Sequence, residues 1–131
     1  MRALTDRAII GLFGGNLFET PQMMFKMDNY LLYTALFPEA THRLTEKLCD
    51  HYCEKIKKWL GAVGSYIDIM LFGDDLGSNQ GPLIDPLAYR EFYKPYHKKM
   101  WAYIHENSNC KVGLHCCGSA YNLLSDYRSK I

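Results

Sequence analysis

No apolar stretch in this chain approaches the ~20 residues needed to cross a bilayer. The opening Met1-Arg2-Ala3-Leu4-Thr5-Asp6 also lacks the apolar core of a signal peptide. These absences lead us to expect a cytoplasmic protein with no membrane partner. An excess of charge of either sign is missing too. Fifteen lysines and arginines against fourteen aspartates and glutamates leave a formal charge of +1, so no global field recruits nucleic acid or an anionic surface. The basic pairs Lys57-Lys58 and Lys98-Lys99 read as solvated helix faces. Nor do the cysteines form an even set. There are five, with Cys116 and Cys117 adjacent and Cys49 and Cys53 one helical turn apart, which is not the disulfide framework of a small secreted domain. Reduced thiols are expected. What is present, 48% hydrophobic and 22% charged residues over 131 positions, is the composition of one domain with a buried core.

Changes of period organise the chain. Residues 7–13 (RAIIGLF) read as a buried strand and Gly14-Gly15-Asn16 as a loop. Thr20-Pro21 starts a helix reaching about Leu36, with an inward stripe of Met24, Met27, Leu31 and Thr34 flanked by Met23 and Tyr30. Phe37-Pro38-Glu39 restarts the chain as a long helix. Its apolar positions Leu44, Leu48, Tyr52, Ile56, Trp59, Leu60 and Val63 recur at three and four, and Gly61 and Gly64 end it. Cys49 and Cys53 within it read as small core hydrophobes. Residues 66–72 (YIDIMLF) have the apolar, β-branched character of a second buried strand. Alternation sets Ile67, Ile69 and Leu71 on one face, which suits covering helices. Asp68, Met70, Phe72 and Asp74 fall on the other, which suits the inside of a barrel near its mouth.

A further helix begins near Asp85-Pro86, with Ala88, Phe92, Tyr96, Met100, Tyr103 and Ile104 on one stripe and a kink or break at Pro95. Tyr89, Tyr93 and Tyr96 read as wall and core, and His42, His51, His97 and His105 as exposed. Residues 111–116 supply a third strand. Crossovers of this length pair strands in parallel, so the expected fold class is α/β with a parallel sheet and covering helices. In such folds the reactive groups gather at the carboxyl ends of the strands, where Asp74, Asp75, His115 and Cys117 fall.

The run His115-Cys116-Cys117-Gly118 closes the third strand. Residues two apart share a face, so His115 and Cys117 project together while Cys116 joins Val112 and Leu114 on the other side. One imidazole and one thiol suit zinc, but a catalytic site usually has three protein ligands, and two alone read as well as packing. Asp74 and Asp75 carry two readings, bordering a pocket or terminating a strand in a turn or cap. Asp75 to Pro86 fails as a calcium loop, because its glycine is misplaced and its twelfth position is Pro86. Gly11, Gly14 and Gly15 make a turn, not a nucleotide fingerprint.

Four segments in order carry a more specific signal. Asp68-Ile69-Met70-Leu71-Phe72-Gly73-Asp74-Asp75-Leu76-Gly77, Gln80-Gly81-Pro82-Leu83-Ile84-Asp85-Pro86, Tyr89-Arg90-Glu91-Phe92-Tyr93-Lys94-Pro95-Tyr96 and His115-Cys116-Cys117-Gly118 together resemble the uroporphyrinogen decarboxylase superfamily. Phe18-Glu19 extends the likeness more loosely toward the N-terminus. The resemblance implies a (β/α)8 barrel, of which this single unit of residues 1–131 would be a part, since a whole barrel takes ~250 residues. His-x-Cys-Gly resembles the zinc motif of the methylcobamide:coenzyme M methyltransferases, so His115 and Cys117 would hold zinc. Asp74 and Asp75 would border the pocket, and a corrinoid on a partner protein would donate a methyl group to a substrate thiol. The alternative within the superfamily is metal-free decarboxylation of a tetrapyrrole, uroporphyrinogen. The family's third zinc ligand is a cysteine well beyond this motif, and the sequence ends fourteen residues after Cys117. That ending, and the departure of residues 127–131 from the family pattern, lead to the expectation of a truncated or frame-shifted product. Such a product would be a catalytically incomplete fragment, or a subunit that self-associates through open sheet edges.

Overall fold

Three short strands, Ile10–Gly14 (β1), Ile69–Gly73 (β2) and Lys111–His115 (β3), form one parallel sheet in the order β1-β2-β3. This computed structural model describes Ala3 and residues 5–128. The expectations placed on Met1, Arg2 and Leu4 and on residues 129–131 lie outside the described residues. Spatial order that follows chain order, with no reversal, is the winding of a barrel rather than of a doubly wound sheet. The structure is therefore α/β, part of a TIM-type barrel with helices on one side of its strands. Register runs from Ile10 opposite Ile69 to Gly73 opposite His115, with one irregularity between Leu12 and Gly14. There the chain leaves β1 through Gly14 and Gly15 at φ +86° and +76°, values that favour glycine.

Helices Glu19–Phe25 (α1), Met27–Leu36 (α2) and Pro38–Val63 (α3) connect β1 to β2. Pro86–Phe92 (α4) and Lys94–Asn107 (α5) connect β2 to β3, and Leu124–Arg128 (α6) follows β3. Local signals account for most of these boundaries. Pro38 starts α3. Asp85 caps α4 by accepting the Leu87 N–H at 2.8 Å, with Pro86 in the first turn, and the chain breaks at Tyr93 so that Pro95 falls in the first turn of α5. The helix expected from Thr20 to Leu36 is two helices. Lys26 at φ +68° separates them, and nothing in its residue type announces the break. The break also corrects the inward stripe. Met23, Met24 and Met27 are exposed, while Tyr30 and Thr34 turn inward, with Tyr30 Oη 2.6 Å from Tyr93 Oη and the Thr34 hydroxyl donating to the Tyr30 carbonyl. Long α3 buries Thr41, Thr45, Cys49 and Ile56, the two threonine hydroxyls satisfied by carbonyls one turn back.

The sheet alternates as expected, but its two faces are exchanged. Met70 and Phe72 are fully buried beneath the helices. Phe72 packs against Trp101 of α5 and against Phe13, which in turn meets Trp59 of α3. The opposite face carries Ile69 and Leu71, with Ile10 53% and Leu12 76% exposed beside them. That uncovered side corresponds to the inside of a barrel. Asp68, whose charge favours the opposite choice of face, lies just before β2, where its carboxylate accepts the Ile9 N–H at 2.8 Å and ties the start of β1 to that of β2. His97, expected in solvent, is 1% exposed and stacked flat on Trp101. Among the described residues no helix is long and apolar enough to cross a membrane.

Exchange of the faces has a measurable consequence. Met70→Ala should cost about 2–5 kcal/mol of unfolding free energy by leaving a cavity in the core. Leu12→Ala, on the uncovered face, should stay within about 0.5 kcal/mol. Urea denaturation of both variants checks the assignment.

Candidate metal centre

All three strands point their carboxyl ends the same way, and the loops that leave them meet there. The β2–β3 ladder continues one step past the strands, the Asp74 N–H donating to the His115 carbonyl at 3.1 Å. Beyond it the two loops touch through backbone. A Cβ on Gly118 would lie 2.0 Å from the Gly77 carbonyl oxygen, and one on Gly77 would lie 2.6 Å from that of Ser119. Any larger residue at either position would push the loops apart. Ser119 N–H donates to the Ser78 carbonyl at 2.8 Å and completes the seam. The glycine that ends His-Cys-Cys-Gly therefore sets how closely Cys117 can approach the β2 loop.

Across that seam the Asp75 carboxylate accepts the Cys117 N–H at 2.8 Å, and His115 Nε2 lies 3.1 Å from Cys117 Sγ. A carboxylate oxygen of Asp75, an imidazole nitrogen of His115 and Sγ of Cys117 all fall within 4.8 Å of one another. Ligand distances of about 2.0–2.3 Å around zinc correspond to donor separations on the order of 3.5 Å, which side-chain rotation from this arrangement can reach. The donor set, one oxygen, one nitrogen and one sulfur, fits zinc. Asp75 offers a third donor atom beside His115 and Cys117, at a position the sequence expectation had left to a cysteine beyond the motif. His115 and Cys117 are exposed and Asp75 is half-buried, so an ion and a further ligand have access.

Asp74 behaves differently from its neighbour. It continues the buried face of Met70 and Phe72 and is 0% exposed. Its oxygens accept the Phe18 N–H at 3.1 and 3.0 Å and the Glu19 N–H at 2.9 Å, and Oδ2 lies 3.2 Å from His97 Nε2. His97 Nδ1 is in turn 3.2 Å from Tyr89 Oη. Asp74 thus fastens the start of α1 to the end of β2 and positions the mouth from behind. Glu19, held by the side-chain amide of Asn16, is carried to the mouth by that anchor, and Asn16 itself lies over Gly73. Neither His97 nor Asn16 was legible as part of the site, since each acts through contacts with elements distant in sequence.

Electrostatics distinguishes the cysteines. The Cys117 thiol is pushed above its ordinary value, first by its hydrogen bond to Asp75 and less by desolvation and the charges of Asp75, Cys116 and Glu19. A cation held by the same groups would reverse that preference, because it replaces the proton. Cys49 is pushed up to about 12, mainly by burial, and is a core hydrophobe as its position on α3 implied. Tyr89 and Tyr93 are core residues whose hydroxyls burial keeps protonated.

A parallel sheet wound in chain order, helix-covered on one side and bearing nitrogen, sulfur and oxygen donors where its strands end, defines a (β/α)-barrel protein with a strand-end site. Residues 2–130 match the family described as Uroporphyrinogen decarboxylase (URO-D), and the chain belongs to that family. No curated protein and no solved structure matches it.

The Asp75–Cys117 contact makes a prediction for the metal-free chain. Asp75→Asn removes the group that most disfavours the thiolate, so at pH 8 iodoacetamide should alkylate Cys117 severalfold faster than in the parent. Site-resolved mass spectrometry of the labelled peptide measures it, and an unchanged rate would mean that Asp75 does not govern this thiol.

Proposed function

We propose that this chain carries the zinc site of an enzyme that transfers a methyl group from a corrinoid on a partner protein to a substrate thiol. The observation behind this reading is the meeting of Asp75, His115 and Cys117 at one strand-end mouth. His115 would supply a neutral imidazole, Cys117 a thiolate and Asp75 a carboxylate, leaving a fourth position for the substrate sulfur. Zinc held there would supply Lewis acidity, making the substrate thiol a thiolate near neutral pH. A corrinoid on the partner protein would supply the methyl group and keep the electron pair of the broken bond, the substrate sulfur would take the methyl group up, and the thiol proton would pass to solvent.

The chain's other residues prepare this geometry. Gly77 and Gly118 allow the two loops to close on each other, and Asp75 orients Cys117 through its backbone N–H. Asp74 and His97 hold the α1 start from behind. These are positioning roles, since neither side chain reaches the mouth.

A second reading, metal-free decarboxylation of uroporphyrinogen, draws its support from the family to which the chain belongs. The two readings separate on metal content. By elemental mass spectrometry the reduced, purified chain should hold close to one zinc per molecule. Cys117→Ala and Asp75→Ala should each lose it while keeping the parent's circular dichroism. Zinc-free parent protein that binds polycarboxylated porphyrins would reverse the choice.

A further inference from the structure

Behind the mouth a row of polar side chains is sealed in the core. Asp74 is 0% exposed, and His97 and Tyr89 are each 1% exposed. They come from the end of β2, from α5 and from α4, and they touch in turn. Asp74 Oδ2 lies 3.2 Å from His97 Nε2, and His97 Nδ1 lies 3.2 Å from Tyr89 Oη. The imidazole also lies flat on Trp101, with ring centroids 4.9 Å apart and planes 8° from parallel. Stacking fixes the plane of the ring but permits it to turn over within that plane, exchanging nitrogen for carbon at each edge. The two hydrogen bonds decide which edge faces Asp74.

Matching donors to acceptors fixes the hydrogens in this row. An ionised carboxylate only accepts, so the His97 hydrogen that meets Asp74 is on Nε2. Nδ1 then either accepts the Tyr89 hydrogen or, in a cationic ring, donates to the Tyr89 oxygen. The second arrangement would leave the Tyr89 hydrogen in the core in need of another acceptor, a costly state for a buried donor. The neighbouring Tyr127 hydroxyl, on a ring that meets Tyr89 edge-on at 5.7 Å, makes no hydrogen bond. Burial, with smaller contributions from nearby charges, also raises the Tyr89 hydroxyl far above its ordinary range, so it keeps a hydrogen to donate.

We infer that Tyr89 is a positioning residue of the metal centre: its hydroxyl donates to His97 Nδ1 and holds the imidazole neutral, with its one ring hydrogen on Nε2 against Asp74. The effect reaches the donor atoms through residues 74 and 75. Asp74 N–H donates to the His115 carbonyl at 3.1 Å, and the Asp75 carboxylate accepts the Cys117 N–H at 2.8 Å. A turned or displaced Asp74 carboxylate would shift both contacts. Outer hydrogen-bond partners of this kind govern metal affinity by about 10- to 100-fold. The placement of the hydrogens stands by itself, and the effect on the metal rests on the proposed zinc site.

Nitrogen NMR of the whole, metal-free chain, isotope-labelled in histidine, reads the ring hydrogens directly, with His97 assigned by the signal lost in His97→Gln. At neutral pH we expect two widely separated His97 ring-nitrogen signals and the hydrogen on Nε2. In Tyr89→Phe the His97 signals should move. Zinc affinity, measured by competition with a chromophoric chelator, should fall about tenfold in that variant. Tyr127→Phe removes the adjoining hydroxyl and should leave both readouts unchanged, and circular dichroism follows the fold of each variant. A parent ring protonated on both nitrogens, or on Nδ1 alone, overturns the inference. So does zinc affinity that Tyr89→Phe leaves intact, or that both variants weaken equally, which would mark general loosening of the core. Those outcomes leave the zinc site standing, whereas a parent that binds no zinc overturns the proposed function and the role of Tyr89 together.

Discussion

The buried Asp74 carboxylate is the constraint on which the mouth depends. Burying a charge is costly, and it is tolerated only where hydrogen bonds and a partner replace the lost water. Here the Phe18 and Glu19 N–H groups and the His97 ring replace it, so one carboxylate joins the end of β2, the start of α1 and α5. His97 is fixed in its turn by stacking on Trp101 and by Tyr89. Removing any member would leave a buried charge or donor with too few partners, which makes the assembly hold together as a unit. With Asp74 committed to the helix-covered side, the next residue, Asp75, falls on the uncovered side.

Backbone contact supplies the second dimension of the site. The β2 and β3 loops are close enough for Asp75 to reach Cys117 because neither Gly77 nor Gly118 has a side chain. The sequence His-Cys-Cys-Gly thus serves two purposes, presenting donors on one face and leaving out the atom that would separate them from the third. A site formed in this way depends on two loops whose spacing is set by the strand ladder beneath them, which is a rigid support.

Much of this is legible in the sequence because it is written locally. The three strands, the break at Pro95, the cap at Asp85 and the shared face of His115 and Cys117 follow from period, proline and turn chemistry within a few residues. What escapes depends on partners far along the chain. Alternation in β2 defines two faces but does not say which is covered, and the aspartates beside Met70 and Phe72 suggest the wrong one. Lys26 breaks a helix at a residue type that gives no warning, and His97 is buried by Asp74, twenty-three residues away. Asp75 differs from Asp74 only in the side on which the chain leaves it.

The one-sided burial of the sheet has a consequence for how such a protein can change. Along β1 and β2 the residues that pack against the helices and those on the uncovered face alternate one by one, divided by nothing more than the pleat of the backbone. Ile10, Leu12 and Leu71 can be exchanged for side chains of other size and polarity with little loss of packing, because Phe13, Met70 and Phe72 between them carry the contacts to the helices. Substitutions on that face can then accumulate while the packing against the helices stays intact.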